Sequence, residues 1–140
     1  MPFKYLPDIA LADIAFEVES TSVDGLFEDC ARALSDIMVD PETLGSKTSR
    51  RVSLTSEDLD RLLYDFLTEL IVIKDVDSLL FRDVQVDVGA DGKALTADLR
   101  GEPIDRVRHG LRNDVKAVTM NMFGVRHEGS KWKATIVLDI

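Results

Sequence analysis

Apolar residues recur at steps of three and four between Ser56 and Asp75: Leu59, Leu62, Leu63, Phe66, Leu67, Leu70 and Ile71. That spacing gathers them on one face of a helix and leaves Asp60, Arg61, Asp65, Thr68 and Glu69 mostly on the other. Thr55 or Ser56 is suited to cap its start, and Glu57 and Asp58 fall where the helix dipole favours negative charge. Each large apolar side chain on the stripe contributes roughly 1.5–3 kcal/mol on burial, before chain entropy is subtracted. A second stripe predicts a helix over 22–38: Val23, Leu26, Phe27, Cys30, Ala31, Leu34, Ile37 and Met38. Ser22 is its N-cap. Asp40-Pro41 closes it, because the residue before proline avoids the helical region.

Elsewhere the period is two. Residues 12–19 alternate, with Ile14, Phe16 and Val18 on one side and Asp13, Ala15 and Glu17 on the other. This is the pattern of a half-buried strand. Asp13 stands at its start among Ile9, Ala10, Leu11, Ala12 and Ile14, where a carboxylate either reaches water or has a partner. Residues 48–55 read as a short strand. Residues 79–89 and 93–102 read as a hairpin turning at Asp91-Gly92. A second hairpin, 115–127 and 131–140, turns at Glu128-Gly129-Ser130. On its last arm Trp132, Ala134, Ile136, Leu138 and Ile140 share one face, and Lys133, Thr135, Val137 and Asp139 the other.

The order β-α-β-α-β-β-β-β predicts an α+β fold: two helices packed on a mostly antiparallel or mixed sheet system. With 140 residues, 45% of them apolar, the chain suits one core and a single domain over 1–140. No apolar run approaches the roughly eighteen residues needed to cross a bilayer, and the start lacks the basic and apolar blocks of a signal peptide. A cytoplasmic protein with no membrane partner is expected. One cysteine, Cys30, excludes an internal disulfide and a cysteine-based zinc cluster. It lies in a buried stripe and reads as a small hydrophobe. The net charge of −9 argues against broad nucleic-acid binding, which depends on neutralising phosphates.

The chemistry is sparse. There is no glycine-rich phosphate loop, no GxSxG and no HExxH. His109 and His127 have no nearby Cys or His at metal-ligand spacing, and both are expected at the surface. Residues 103–114 form a basic island in an acidic chain, with Arg106, Arg108, His109 and Arg112, and Lys116 beyond. They read as a solvated loop or as a contact for phosphate or an acidic partner. Asp139 precedes Ile140, so two carboxylates lie close together. A third one brought over by the fold makes an all-oxygen site, suited to calcium, magnesium or manganese. A hydrolase built on Asp13 and Asp139 lacks a general base or nucleophile beside the metal.

These segments together resemble the archease family over nearly the whole chain. ADIAFEVES is similar to the second half of that family's HTADxxxx opening, FEDCARALSDIMVD to its first helix and DLDRLLYDFLTELIVIKD to its second. GEPIDRVRHGLRNDVKAVT resembles GE…(K/R)H…VKA(I/V)T, and IVLDI the terminal Asp followed by an aliphatic residue. The resemblance implies a non-catalytic activator of an RtcB-type tRNA-splicing RNA ligase, one that promotes guanylylation and multiple turnover and broadens nucleotide use. A general chaperone or modulator of nucleic-acid enzymes is the alternative. It implies a divalent cation, usually calcium, held by Asp13, Asp139 and the Ile140 carboxylate. Lys116 is implied in ligase activation, with Arg108 and His109 beside it as partner contacts. The chain departs from the family at Ala10 and Leu11, where HTAD has His and Thr, and at Met120-Asn121, where Tyr-His is often found.

Overall fold

The computed structural model describes residues 3–5 and 13–140, so Ile9, Ala10, Leu11 and Ala12 lie outside the described residues. The described elements are β1 (Phe3–Tyr5), β2 (Asp13–Ser20), α1 (Val23–Met38), a short 3-10 turn (Pro41–Thr43) and β3 (Thr48–Thr55). Next come α2 (Leu59–Asp77), β4 (Leu79–Val88), β5 (Ala94–Pro103), β6 (Ala117–Glu128) and β7 (Lys131–Asp139). β1 is additional to the predicted order. With only three residues, it is too short for an alternating pattern to reveal.

The strands form two antiparallel sheets, one ordered β1-β2-β7-β6 and the other β3-β5-β4. Each helix packs against both sheets. Phe27 of α1 stacks on Phe66 of α2 with ring centroids 6.2 Å apart. Leu26, Phe27, Leu34, Leu62, Leu63, Phe66 and Leu67 are fully buried, with Phe16, Ile136 and Leu138 of the four-stranded sheet around them. The predicted stripes are therefore the core. Cys30 is fully buried among them, and desolvation pushes its thiol well above the ordinary range. That leaves it inert.

The caps are partly as expected. Ser22 accepts from the Gly25 N–H at 3.0 Å and opens α1. For α2 the cap is Asp58, which accepts from the Arg61 N–H at 2.8 Å, and not Thr55 or Ser56. β3 runs on through Thr55, and Ser56 extends its ladder by donating its N–H to the Lys93 carbonyl, so neither residue is available as a cap.

α1 also guards a sheet edge. The outward N–H groups of Val86 and Val88 on β4 donate to Glu28 at 2.9 Å and to Asp24 at 2.8 Å. Ser35 donates to the Phe81 carbonyl at 2.9 Å. Three side chains of one helix thus occupy backbone groups that an edge strand otherwise offers to other chains.

Candidate functional site

β2 and β7 pair so that Asp13 lies directly opposite Asp139, and on the far side of β7 Ala117 of β6 lies opposite the same Asp139. Directly opposed residues of antiparallel strands have Cα atoms about 4.5–5.5 Å apart and project to the same face. The two acids, 126 positions apart in the chain, therefore meet at one end of the four-stranded sheet. Both are half-buried, and neither makes an ion pair among the described residues. Carboxylates so placed repel each other unless a cation or donors lie between them.

Two further features surround the pair. The Lys116 N–H donates to the Asp139 carbonyl at 2.8 Å, which fixes Lys116 at the same end of the sheet. Its side chain is exposed and forms no ion pair among the described residues. One row inward on the same face stand Ala15, Val137 and Thr119 in register. The Thr119 hydroxyl is buried and has no hydrogen-bond partner among the described residues. Among the described residues no group of three or more His, Cys, Asp or Glu side chains is placed to hold a metal ion. A cation here would draw on the two aspartates and on main-chain or hydroxyl oxygen. That donor set is all oxygen and fits a hard cation such as calcium, not zinc or copper.

The basic island behaves differently from a solvated loop. Residues 104–116 form a strap across the C-terminal end of α1. The Arg112 N–H donates to the Met38 carbonyl at 2.8 Å and the Asn113 N–H to that of Ile37 at 3.1 Å. Arg112 also donates to the Asp36 carbonyl at 2.8 Å. Thus the strap satisfies helix carbonyls that have no partner within the helix. Asp40 and Gly110 bond as well, N–H to carbonyl, at 2.8 Å.

At the other end of the strap His109 is buried, which corrects the expectation of a surface histidine. Its Nδ1 accepts from the Asp105 N–H at 2.9 Å, so the ring hydrogen sits on Nε2 and is donated to Glu102 at 2.6 Å. Glu102, itself only 1% exposed, also receives the Gly45 N–H at 2.7 Å and pairs with Arg108 at 2.9 Å. Arg108, and after it His109 and Gly45, hold the Glu102 carboxyl down to about 2. A carboxyl depressed in the fold stabilises above its unfolded value and loses that contribution as the pH falls through the folded one. The advantage of the native chain over Glu102→Gln is therefore expected to be full above about pH 4.5 and to vanish toward pH 2, as read from urea midpoints. His127, by contrast, is exposed and stacks on Trp132, with centroids 4.0 Å apart.

Lys74 was not singled out from the sequence. It continues the α2 stripe, three residues after Ile71 and four after Leu70, and is 8% exposed. Its ammonium donates to Asp114 at 2.6 Å and to the Val115 carbonyl at 2.7 Å, and pairs with Asp75 at 2.8 Å. Burial works against the charge, but the bonds from Asp114 and Asp75 outweigh it and the net shift is upward. Lys74 therefore nails down the strap just before Lys116. Both acids are largely exposed and contribute little. The main loss in Lys74→Met is the partner of the Val115 carbonyl, expected to cost about 1–3 kcal/mol in chemical denaturation. Faster amide exchange is expected at Val115 and Lys116.

Comparison with known proteins decides the family. The model of the archease protein family matches residues 3–140. The chain belongs to the archease family. An archease of Methanosarcina barkeri is 33% identical over 141 residues, spanning 99% of this chain and 95% of its own. One of Methanothermobacter thermautotrophicus is 37% identical over 131 residues, spanning 92% and 93%. The solution structure of protein 1598 of Methanobacterium thermoautotrophicum superposes with a TM-score of 0.81 at 34% identity, over 99% of both chains. A crystal structure of a Thermotoga maritima archease, described as a possible chaperone, shares the fold with a TM-score of 0.64 at 18% identity, over 96% of both. Among the described residues, no helix of this archease-family chain is long and apolar enough to cross a membrane.

Proposed function

We propose that this chain is a non-catalytic, cytoplasmic activator of an RtcB-type RNA ligase. It promotes guanylylation and multiple turnover of that enzyme and broadens its nucleotide use. Asp13, Asp139 and the Ile140 main-chain carboxylate hold a divalent cation, calcium. The observation that carries this reading is the Asp13–Asp139 pair: two half-buried acids, directly opposed and without a counter-charge among the described residues, with Lys116 tethered beside them.

In this reading the cation supplies positive charge between the carboxylates, and the end of the sheet that carries it is what enters the partner. Lys116, which has no ion-pair partner among the described residues, meets a phosphate. Arg108 and His109 act from a distance. Their bonds to Glu102 hold the strap whose last residue is Lys116, so their role is positional. Among the described residues, none beside the acids is placed as a nucleophile or general base, which favours an activator over a hydrolase.

A general chaperone needs a broad exposed apolar patch. The exposed large apolar residues among those described are Val72, Val76, Val107, Leu111 and Met120, spread over α2, the strap and β6. Nothing in that distribution favours the second reading.

The test adds the purified chain to the RtcB-type ligase of the same cell and follows guanylylation and ligation. Faster guanylylation and repeated turnover are expected, with no ligation by the chain alone. An unchanged guanylylation rate would overturn the proposal.

A further inference from the structure

The three-stranded sheet has two edges, and among the described residues only one of them is guarded. On β4 the outward N–H groups of Val86 and Val88 are taken by Glu28 and Asp24 of α1. β3 forms the opposite edge. The Ser56 N–H donates to the Lys93 carbonyl, and the register pairs Thr55 with Ala94. The ladder alternates from there. The even positions of β3 bond to β5, and the odd ones, Ser49, Arg51, Ser53 and Thr55, turn their N–H and C=O groups outward. These outward groups have no hydrogen-bond partner among the described residues, and all four residues are exposed.

The side chains of β3 itself carry only positive charge, although Arg50 is already paired with Asp77 at 2.6 Å. β3, TSRRVSLT, contains no acid, and Lys47 precedes it. In a chain of net charge −9 this is a local reversal. The acids of the sheet's outer face, Asp98 on β5 and Asp83 and Asp87 on β4, lie one and two strands further in. Arg51 reaches Asp98 only at 3.8 Å and remains 68% exposed. Arg100 makes no ion pair among the described residues. With Arg32, which is paired to Asp29 at 2.9 Å, these arginines line a depression of about 420 Å³ beside the edge, together with Asp83 and Asp98.

We propose that the free edge of β3 is a docking site for an extended acidic segment of a partner protein, added to the sheet as a fourth strand. Main-chain bonds to Ser49, Arg51, Ser53 and Thr55 supply the pairing, as in strand addition generally. Acidic side chains of the segment on the outer face meet Arg51 directly and Arg100 one strand over. A second copy of this chain is a poorer occupant: β3 set against β3 opposes basic strands, and neither has an acid to answer the other.

The test titrates the full chain with an alternating Glu-Thr octapeptide and, separately, with its Lys-Thr counterpart, following backbone amide resonances. The Glu-Thr peptide is expected to shift the amides of Ser49, Arg51, Ser53 and Thr55, and to bind at least 10-fold more tightly than Lys-Thr. Arg51→Glu, which leaves the backbone unchanged, is expected to weaken Glu-Thr binding at least 10-fold. Ser53→Pro removes an outward N–H that the ladder does not use and is expected to abolish binding. Any of three results would overturn the proposal. The first is the absence of shifts up to millimolar peptide, which leaves the arginines as guards against aggregation only. The second is equal affinity for the two peptides. The third is a concentration-dependent dimer of the chain that perturbs the same amides.

Discussion

Asp139→Asn is expected to remove calcium-dependent stabilisation and to abolish activation of the partner ligase, while leaving the fold intact. Asn is nearly isosteric with Asp, and the backbone of Asp139 keeps both its place opposite Asp13 and its bond to the Lys116 N–H. What disappears is one charged oxygen of the proposed ligand set. Replacing even a group that only supports a ligand weakens metal binding 10–100-fold, so removing a ligand carboxylate is expected to cost at least about 100-fold. In metal-free buffer the sign reverses. Relief of like charge across the strand pair leaves the midpoint unchanged or raised. With calcium at 100 times its dissociation constant the native chain gains about 2.7 kcal/mol, and the variant nearly none. Asp13→Asn is expected to behave in the same way, since the proposal places both carboxylates on one ion. Thermal unfolding with and without calcium, beside a guanylylation assay, reads all of this. Equal stabilisation of native and variant chains would remove Asp139 from the ligand set.

The stripes on α1 and α2 and the alternation on β2 and β7 were legible because a single periodicity settles which face is buried. The Asp13–Asp139 meeting was legible only in outline. Each acid could be placed at the end of a strand, but β2 and β7 being neighbours is a matter of sheet order, which local pattern does not encode. His109 shows the limit more sharply. In sequence it is one of several polar residues in a run without period, and its burial comes from Glu102 and from the strap folding back over α1. Glu102 has the same difficulty: it lies on the polar side of β5 with Asp98 and Arg100, and only the strap and Gly45 enclose it. Lys74 was readable in principle, since a cation on an apolar stripe requires an acceptor. The identity of that acceptor, a carbonyl forty-one positions away, was not readable. The free edge of β3 is equally hidden, because which strand ends a sheet follows from topology.

The same strap gives Gly101 its importance. Gly101 lies on β5 between Thr48 of β3 and Phe81 of β4, beside the irregularity in β4 between Phe81 and Asp83. A Cβ added there would sit on the Leu80 carbonyl oxygen, and within 2.7 Å of the Leu80 carbonyl carbon and of the Phe81 Cα. These are backbone atoms of a paired strand and cannot rotate away. Gly101→Ala must push β4 off β5 at the bulge, and Glu102, the next residue, moves with it. Overpacking a filled interior typically costs 1–3 kcal/mol. With backbone as the obstacle, and the Glu102 bonds to Gly45, Arg108 and His109 disturbed, a loss of about 3 kcal/mol or more is expected. Gly124→Ala is the internal control: apart from its chain neighbours, no atom of the described residues lies within 4 Å of its added Cβ, and a change within about 0.5 kcal/mol is expected. Urea midpoints at neutral pH compare the two variants directly. Equal midpoints would mean that β4 and β5 do not approach as closely at the bulge as described, and that the strap owes its position to α1 alone.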